Sequence, residues 1–166
     1  LMNQDADAKI VLHVGGVYGN KSKAMNRFVQ TFQNLSDSIQ RRLIIENDER
    51  SYTLQDCITV HEMTGVPIVV DNLHHDANNN GESFTSAFDL AKESWRAEDG
   101  APIIHYSSQE YGGRPGKHAV SIDTRHFKSF LYSLGKNEMD VMLEVKDKEK
   151  SAIKAIQIAR QMIHSS

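Results

Sequence analysis

The chain has 166 residues, 39% of them hydrophobic, and a formal net charge of -3 with its 8 histidines counted as neutral. That length and apolar content suit one domain over residues 1–166 with a core of its own, and the charge excludes a protein that coats nucleic acid by bulk basicity. The lone Cys57 excludes an intrachain disulfide framework, and no run of about 18 apolar residues and no leader pattern is present, so the expectation is a soluble, cytoplasmic protein with no membrane partner.

After a polar opening, LMNQDADAK, residues 9–13 (KIVLH) form a compact strand candidate. The glycine-bearing turn VGGVYGNKS follows, and then Ala24, Phe28, Val29 and Phe32 recur at helical spacing to about Asn34. The second strand is residues 43–46 in RRLIIEND; Thr53, with Gln55 and Asp56 in the first turn, opens a helix to about Thr64 that Gly65 ends. Residues 67–71 (PIVVD) lack polar alternation and read as a strand buried on both faces. Residues 83–93 (SFTSAFDLAKE) are the third helix, and APIIHYSS is a fourth strand ending near His105. Asp123 caps a helix through Leu134, DVMLEV is the fifth strand, and a long final helix carries an apolar stripe through Ile153, Ile156, Ala159 and Ile163. The pattern is five β/α units, an α/β fold with a parallel sheet.

The five strands end in His13, Glu46, Asp71, His105 and Glu144. A parallel sheet places all five side chains at one rim, where ligands bind in such folds. Core packing gives no reason for this, since buried ionisable groups are costly without partners. Neutral imidazoles mixed with carboxylates are the donor set of divalent cations. Asp71 and His74 form a D-x-x-H pair that sets a carboxylate at a strand end and an imidazole on the loop after it. Singly, each residue has a plainer reading: His13 or His105 as a hydrogen-bonded structural histidine, Glu46 as a capping or salt-bridge group, and His118 as an ordinary loop residue. His75 reads as surface or as a group behind the ligands, because neighbours at a strand exit point apart. His61, His126 and His164 read as structural or solvated. Gly15, Gly16 and Gly19 do not make a dinucleotide fingerprint and instead permit close backbone approach to a bulky ligand. Lys21, Lys23, Lys146 and Lys148 read as solvated charges that also lie where a phosphate backbone would pass.

The motifs VLHVGGVYGNKSKAMNRF, LIIENDERSYTLQD, GVPIVVDNLHHDAN, IIHYSSQEYGGRPGKHA and DVMLEVKDKEKSA resemble, in order and spacing, those of the UV damage endonuclease family. The resemblance implies a (β/α)8 TIM barrel of the xylose isomerase-like kind, with up to three divalent metals, commonly manganese, that nicks damaged double-stranded DNA 5′ of UV photoproducts. It implies metal ligands at His13, Glu46, Asp71, His105 and Glu144, with Glu46 bridging two metals, and at His74 and His118 for a third. Glu46, Asp71 and Glu144 are then the catalytic carboxylates, and Tyr18, Gln109 and Arg114 are candidates for DNA contacts. Some members carry a lysine two residues before the histidine matching His105, where a modified side chain joins the metal site; here that residue is Ile103.

A complete barrel takes eight units and about 250 residues, so five units imply a partial (β/α)8 barrel whose first strand corresponds to the family's fourth. Read this way, the chain is a carboxyl-terminal, incomplete or inactive piece that does not begin with methionine. Its open edge strands would invite self-association. Two competing readings share the pattern: a metal-dependent sugar isomerase or epimerase on the same barrel, and a non-catalytic half-barrel module.

Overall fold

The computed structural model describes residues 8–164, except for the side chains of residues 163 and 164. The polar opening and the expected contributions of Ile163 and His164 lie outside the described residues. Five strands, β1 (Ile10–His13), β2 (Leu43–Glu46), β3 (Ile68–Asp71), β4 (Ile103–Tyr106) and β5 (Asp140–Leu143), lie side by side in chain order. Every neighbouring pair is parallel. Helices cross between them: α1 (Lys21–Gln33), α2 (Asp37–Gln40), α3 (Leu54–Thr64), α4 (Asn72–Ala77), α5 (Phe84–Lys92) and α6 (Thr124–Leu134), with α7 (Glu149–His164) after the last strand. This is the wall of a TIM-barrel-like α/β fold with the sheet not closed.

Local chemistry fixes the helix starts where the sequence places them. The Asn20 side chain accepts from Lys23 N at 2.9 Å, Asp56 Oδ2 accepts from Thr53 N at 2.9 Å, Ser83 Oγ accepts from Ser86 N at 3.2 Å, and Asp123 Oδ1 accepts from Arg125 N and His126 N. Gly65 ends α3 at φ 73, a left-handed conformation that a Cβ would penalise. The central strands are buried along their whole length in β2 and β3, as continuous apolar runs require. Two apolar clusters lie behind the sheet, one under α1, α3 and α5 and one under α6 and α7, and Phe84 packs against both.

The structure departs from the sequence reading at three points. Helices α2 and α4 were not expected, and β1 and β3 begin at Ile10 and Ile68 rather than at residues 9 and 67. The apolar stripe of α7 is displaced: Ile153 and Ile156 are exposed, while Ser151 and Ala155 are buried and Ala159 is half-buried. The docked face instead combines Ala155, Ile158, Ala159 and Met162, packed against the α6 cluster, with Ser151, whose Oγ accepts from Ile122 N at 3.0 Å.

The edge strands behave differently from the centre. Ile10, Leu12 and Met142 are 46%, 37% and 54% exposed, whereas Ile44 and Val69 are 0% exposed. Ile44→Ala is therefore expected to cost about 2–5 kcal/mol and Leu12→Ala less than about 1 kcal/mol. Urea denaturation of both variants checks this, and equal losses would contradict the assignment of β1 as an open edge.

Candidate metal centre

The ends of the strands meet at one rim because the parallel register puts them there: His13 pairs with Glu46, and Asp71 with His105. Glu144 directly follows β5, its N–H donating to Tyr106 O at 2.9 Å and so continuing the ladder one residue beyond the strand. Glu46 is the hub. Its Oε1 lies 3.1 Å from His105 Nδ1 and 3.4 Å from His74 Nδ1, and its Oε2 lies 3.7 Å from His13 Nε2. His105 Nδ1 is also 3.0 Å from Glu144 Oε1, and Glu144 Oε2 is 3.7 Å from His118 Nδ1. The rings of His13 and His118 lie 5.7 and 5.9 Å from that of His74, one on each side. The structure thus gathers all seven residues singled out as ligands into one cluster.

His74 reaches the cluster through α4. Asp71 is both the last residue of β3 and the N-cap of that helix, its Oδ1 accepting from His74 N at 2.7 Å. The helix turns the chain so that His74 faces inward, where its Nδ1 also meets Asn47 O at 3.1 Å. His75 leaves on another side of α4. It is buried rather than superficial, edge-on to Phe84 with its Nε2 3.4 Å from Glu82 Oε1, because α5 covers that side.

Three residues missed in the sequence complete the rim. Asn47 follows Glu46, donating from Nδ2 to Asp71 O at 3.4 Å and accepting at Oδ1 from Asp71 N at 2.9 Å. Asn72 does the same one strand further on, donating to Ser107 O at 3.1 Å and accepting from Ser107 N at 2.8 Å. Each asparagine replaces ladder bonds where the strands splay, holding one ligand-bearing strand end against the next. Their signal was the repeated acid–Asn pair in IIEND and VVDNL. Glu49 lies 3.9 Å from His74 Nε2 and equally far from Arg114 Nη1, linking the cluster to the loop that carries His118.

The remaining candidates occupy different surroundings. Tyr18 is 89% exposed at φ 48, with the Arg27 guanidinium 5.5 Å from its ring centre. Arg114 is exposed, whereas the Gln109 side chain is taken up by its own loop, donating to Arg114 O at 2.9 Å and accepting from Gly116 N at 3.0 Å. Ile103 lies in β4 two residues before His105, on the same face of the strand, and pairs with Asp140.

The residues fit a divalent cation. Glu46, Asp71 and His105 are all buried and each offers a ligand atom within 4.8 Å of the others. Asp71 Oδ2 and His105 Nε2 are buried without any hydrogen-bond partner, a cost that a cation in their reach would remove. Burial opposes ionisation of Glu46, but hydrogen bonds from His105 and His74 outweigh it and hold the carboxyl at about 2. Burial opposes protonation of His105 and His74 as well, yet Glu144 and Glu46 push the first up to about 10, and Glu46 with Asp71 the second to about 9. Asp71 goes the other way: burial, only partly offset by His74, raises it to about 6. Protons on the imidazoles thus hold the place of a cation's charge.

The sign of the pH dependence follows. His74 and His105 stabilise the metal-free fold fully below their ordinary value of 6.5, and this is lost as pH rises through about 9 and about 10. Asp71 has the same sign at lower pH: its raised carboxyl favours the fold fully below 3.8, and this is lost as pH rises through about 6, so it adds little between pH 6 and pH 9. Glu46 sets the acid side: its contribution is complete above 4.5 and lost as pH falls through about 2. The chelator-treated chain is expected to melt higher at about pH 6 than at about pH 9. Manganese is expected to raise the melting temperature more at the higher pH, because a cation must displace those protons. Calorimetry giving the larger metal-induced rise at the lower pH would rule these imidazoles out as ligands.

Residues 1–164 match the sequence pattern of the family described as UV-endonuclease UvdE. The UV DNA damage endonuclease of Clostridium perfringens (strain 13 / Type A) is 39% identical over 160 residues, which cover 95% of this chain and 39% of that protein. That of Bacillus mycoides (strain KBAB4) is 32% identical over 154 residues, covering 91% and 49%. The crystal structure of SacUVDE superposes with a TM-score of 0.87 at 42% identity, over 93% of this chain and 52% of the other. The chain spans about half the length of these relatives or less. Among the described residues no helix is long and apolar enough to cross a membrane. On the sequence match and the superposition together, the chain belongs to the UV-endonuclease UvdE family.

Proposed function

We propose that this chain is the metal-bearing part of a cytoplasmic DNA repair endonuclease that hydrolyses a phosphodiester 5′ of UV photoproducts, leaving a 3′-hydroxyl and a 5′-phosphate. The observation that carries the reading is the gathering of the seven candidate ligands at one rim, with Glu46 at their centre. Family membership favours it over the sugar isomerase.

His13, Glu46, Asp71, His105 and Glu144 would hold two divalent cations, with Glu46 shared between them, and His74 and His118 would serve a third. Manganese suits the mixed imidazole and carboxylate set. Bound metals would supply Lewis acidity and a lowered pKa for water. The chain's own residues set the stage. Glu46 presents both oxygens, one toward His13 and one toward His74 and His105. Asp71 keeps Oδ2 free of protein partners. Ile103 offers hydrocarbon where some relatives place a modified lysine, so the third position has one ligand fewer. Exposed Tyr18 and Arg114 would face the DNA, and the Gln109 amide would shape the loop between them and His118.

The exposed apolar side chains of β1 and β5 support a further part of the proposal: this chain alone pairs with a second copy through its open edges, and cleavage requires the units that complete the barrel. Analytical ultracentrifugation should give a mass above the 18.7 kDa of one chain; a well-folded monomer at all concentrations would remove the self-association.

The test of activity compares manganese-dependent nicking of UV-irradiated plasmid by this chain and by the chain joined to the amino-terminal half of the Clostridium perfringens relative. The joined protein is expected to nick. In it, Asp71→Ala or Glu144→Ala should reduce the rate by roughly a hundredfold or more without unfolding it, exceeding the effect of losing an outer-shell partner. Glu46→Gln should lower metal occupancy at both shared positions together. Retained nicking in either alanine variant, or loss of one metal only in Glu46→Gln, would overturn the ligand assignment.

A further inference from the structure

The loop after β4 is a built hairpin. Gln109 and His118 form an antiparallel bridge, Glu110 N donates to Lys117 O at 2.8 Å, and Ala119 N donates to Ser108 O at 2.8 Å. Two further bonds, Gly113 N to Glu110 O and Lys117 N to Arg114 O, fold the tip, and the Gln109 amide pins it from inside. Glu110 and Lys117 form an ion pair across it. At its base the hairpin delivers His118 to Glu144. Its side lies on Glu49 so closely that a Cβ on Gly116, itself at φ +77, would come within 3.1 Å of the Glu49 Cβ. The hairpin is thus fixed to the candidate metal centre at two points.

At its tip stands Tyr111, 104% exposed. A large aromatic ring held entirely in water forgoes the burial its surface would gain, and the ordered hairpin beneath it removes the flexibility that would let it fold back. Its surroundings fit one class of occupant. Arg114 and Lys117 project from the same hairpin, and Lys146 comes from the segment hydrogen-bonded beside it, with Glu110 paired to Lys117 and Glu49 3.9 Å from Arg114 Nη1. A ring flanked by cations matches a nucleic acid, whose bases stack and whose phosphates are anionic.

We infer that Tyr111 is a DNA-stacking residue: its ring lies against a nucleobase of the strand engaged at the metal centre, and the hairpin fixes the distance between that base and the cleaved phosphodiester. The inference rests on the DNA-cleaving reading above and assigns it a contact residue that neither motif nor fold had marked. Stacking needs the ring and not the hydroxyl, so Tyr111→Phe retains the contact and Tyr111→Ala loses it. Full exposure means that neither change disturbs folding.

The experiment is fluorescence anisotropy of a labelled, UV-irradiated duplex oligonucleotide titrated with the chain and these variants, calcium replacing manganese to prevent cleavage. Tyr111→Ala should weaken binding by roughly tenfold, the scale of one aromatic–base contact, and Tyr111→Phe by less than about twofold. Manganese affinity of the free protein should be the same in all three. As a direct reporter, Tyr111→Trp should bind like the unsubstituted chain and lose indole fluorescence on adding DNA, while the native Trp95, tied to Ile68 O at 2.8 Å, stays constant. Binding by Tyr111→Ala equal to that of the unsubstituted chain would sink the inference and leave the endonuclease reading standing. Phe as weak as Ala would replace stacking by a hydroxyl contact and overturn it as well. Failure of the unsubstituted chain to bind any duplex would overturn the DNA-binding reading, and this inference with it.

Discussion

The carboxylate of Glu46, 3% exposed at the mouth of a parallel sheet, is the constraint around which the rest is arranged. A buried carboxylate without partners would neutralise or disrupt its surroundings. Here imidazoles on three other elements approach it within 3.7 Å, so the fold is stable at neutral pH only if those elements hold position. Removing Glu46 would take away a carboxylate that holds His74 and His105 protonated. The same arrangement lets a cation take the place of imidazole protons: the Glu46 carboxylate stays ionised, and the protons on His74 and His105 are replaceable.

Holding these elements in place is difficult where strands end, because β2 to β4 diverge and backbone groups lose their partners. Asn47 and Asn72 solve this with the same geometry, each amide bonding both the N–H and the C=O of a residue on the next strand. The residue that Asn47 clasps is Asp71, so the distance between Glu46 and Asp71 is set by backbone-like bonds and not by side-chain preference. Ligand precision of this kind comes from partners behind the ligands as much as from the ligands. The hairpin between Gln109 and His118 extends the principle to a loop, replacing an open connection with bridged backbone.

The strands and their charged ends were legible because short hydrophobic runs of two or three residues stopped by His, Glu or Asp leave little alternative in a β/α repeat. Local caps made α3, α5 and α6 legible as well. Helix α4 was not, since NLHHDA has no apolar period and its capping residue, Asp71, was already accounted for as a strand end. Without α4 the separation of His74 from His75 could be anticipated only as two neighbours pointing apart, and the burial of His75 under α5 is a tertiary fact no local pattern carries. The stripe of α7 misled for a related reason. The helix carries apolar residues on two faces, and the one that docks on α6 is that of Ala155, Ile158, Ala159 and Met162, leaving Ile153 and Ile156 exposed.

Exposure along the rim follows the position of each strand in the sheet. Glu46, Asp71 and His105, on the three central strands, are buried with their oxygens and nitrogens already aimed at one another. His13, on the edge strand β1, has a side chain 48% exposed, and Glu144 and His118, at the β5 side, are 34% and 27% exposed. A cation held by the central three therefore meets donors whose conformational freedom is already spent in the fold, while one that depends on the outer ligands must order them on binding. Whatever covers the edges would order those outer side chains in advance, so that edge closure and metal loading reinforce each other through the same residues. The unclosed sheet and the half-exposed candidate ligands have one physical cause: among the described strands β1 and β5 each have a neighbour on one side only, which leaves Leu12 on the helix-facing side, and Met142 and the outer imidazoles on the side of Glu46, open to water.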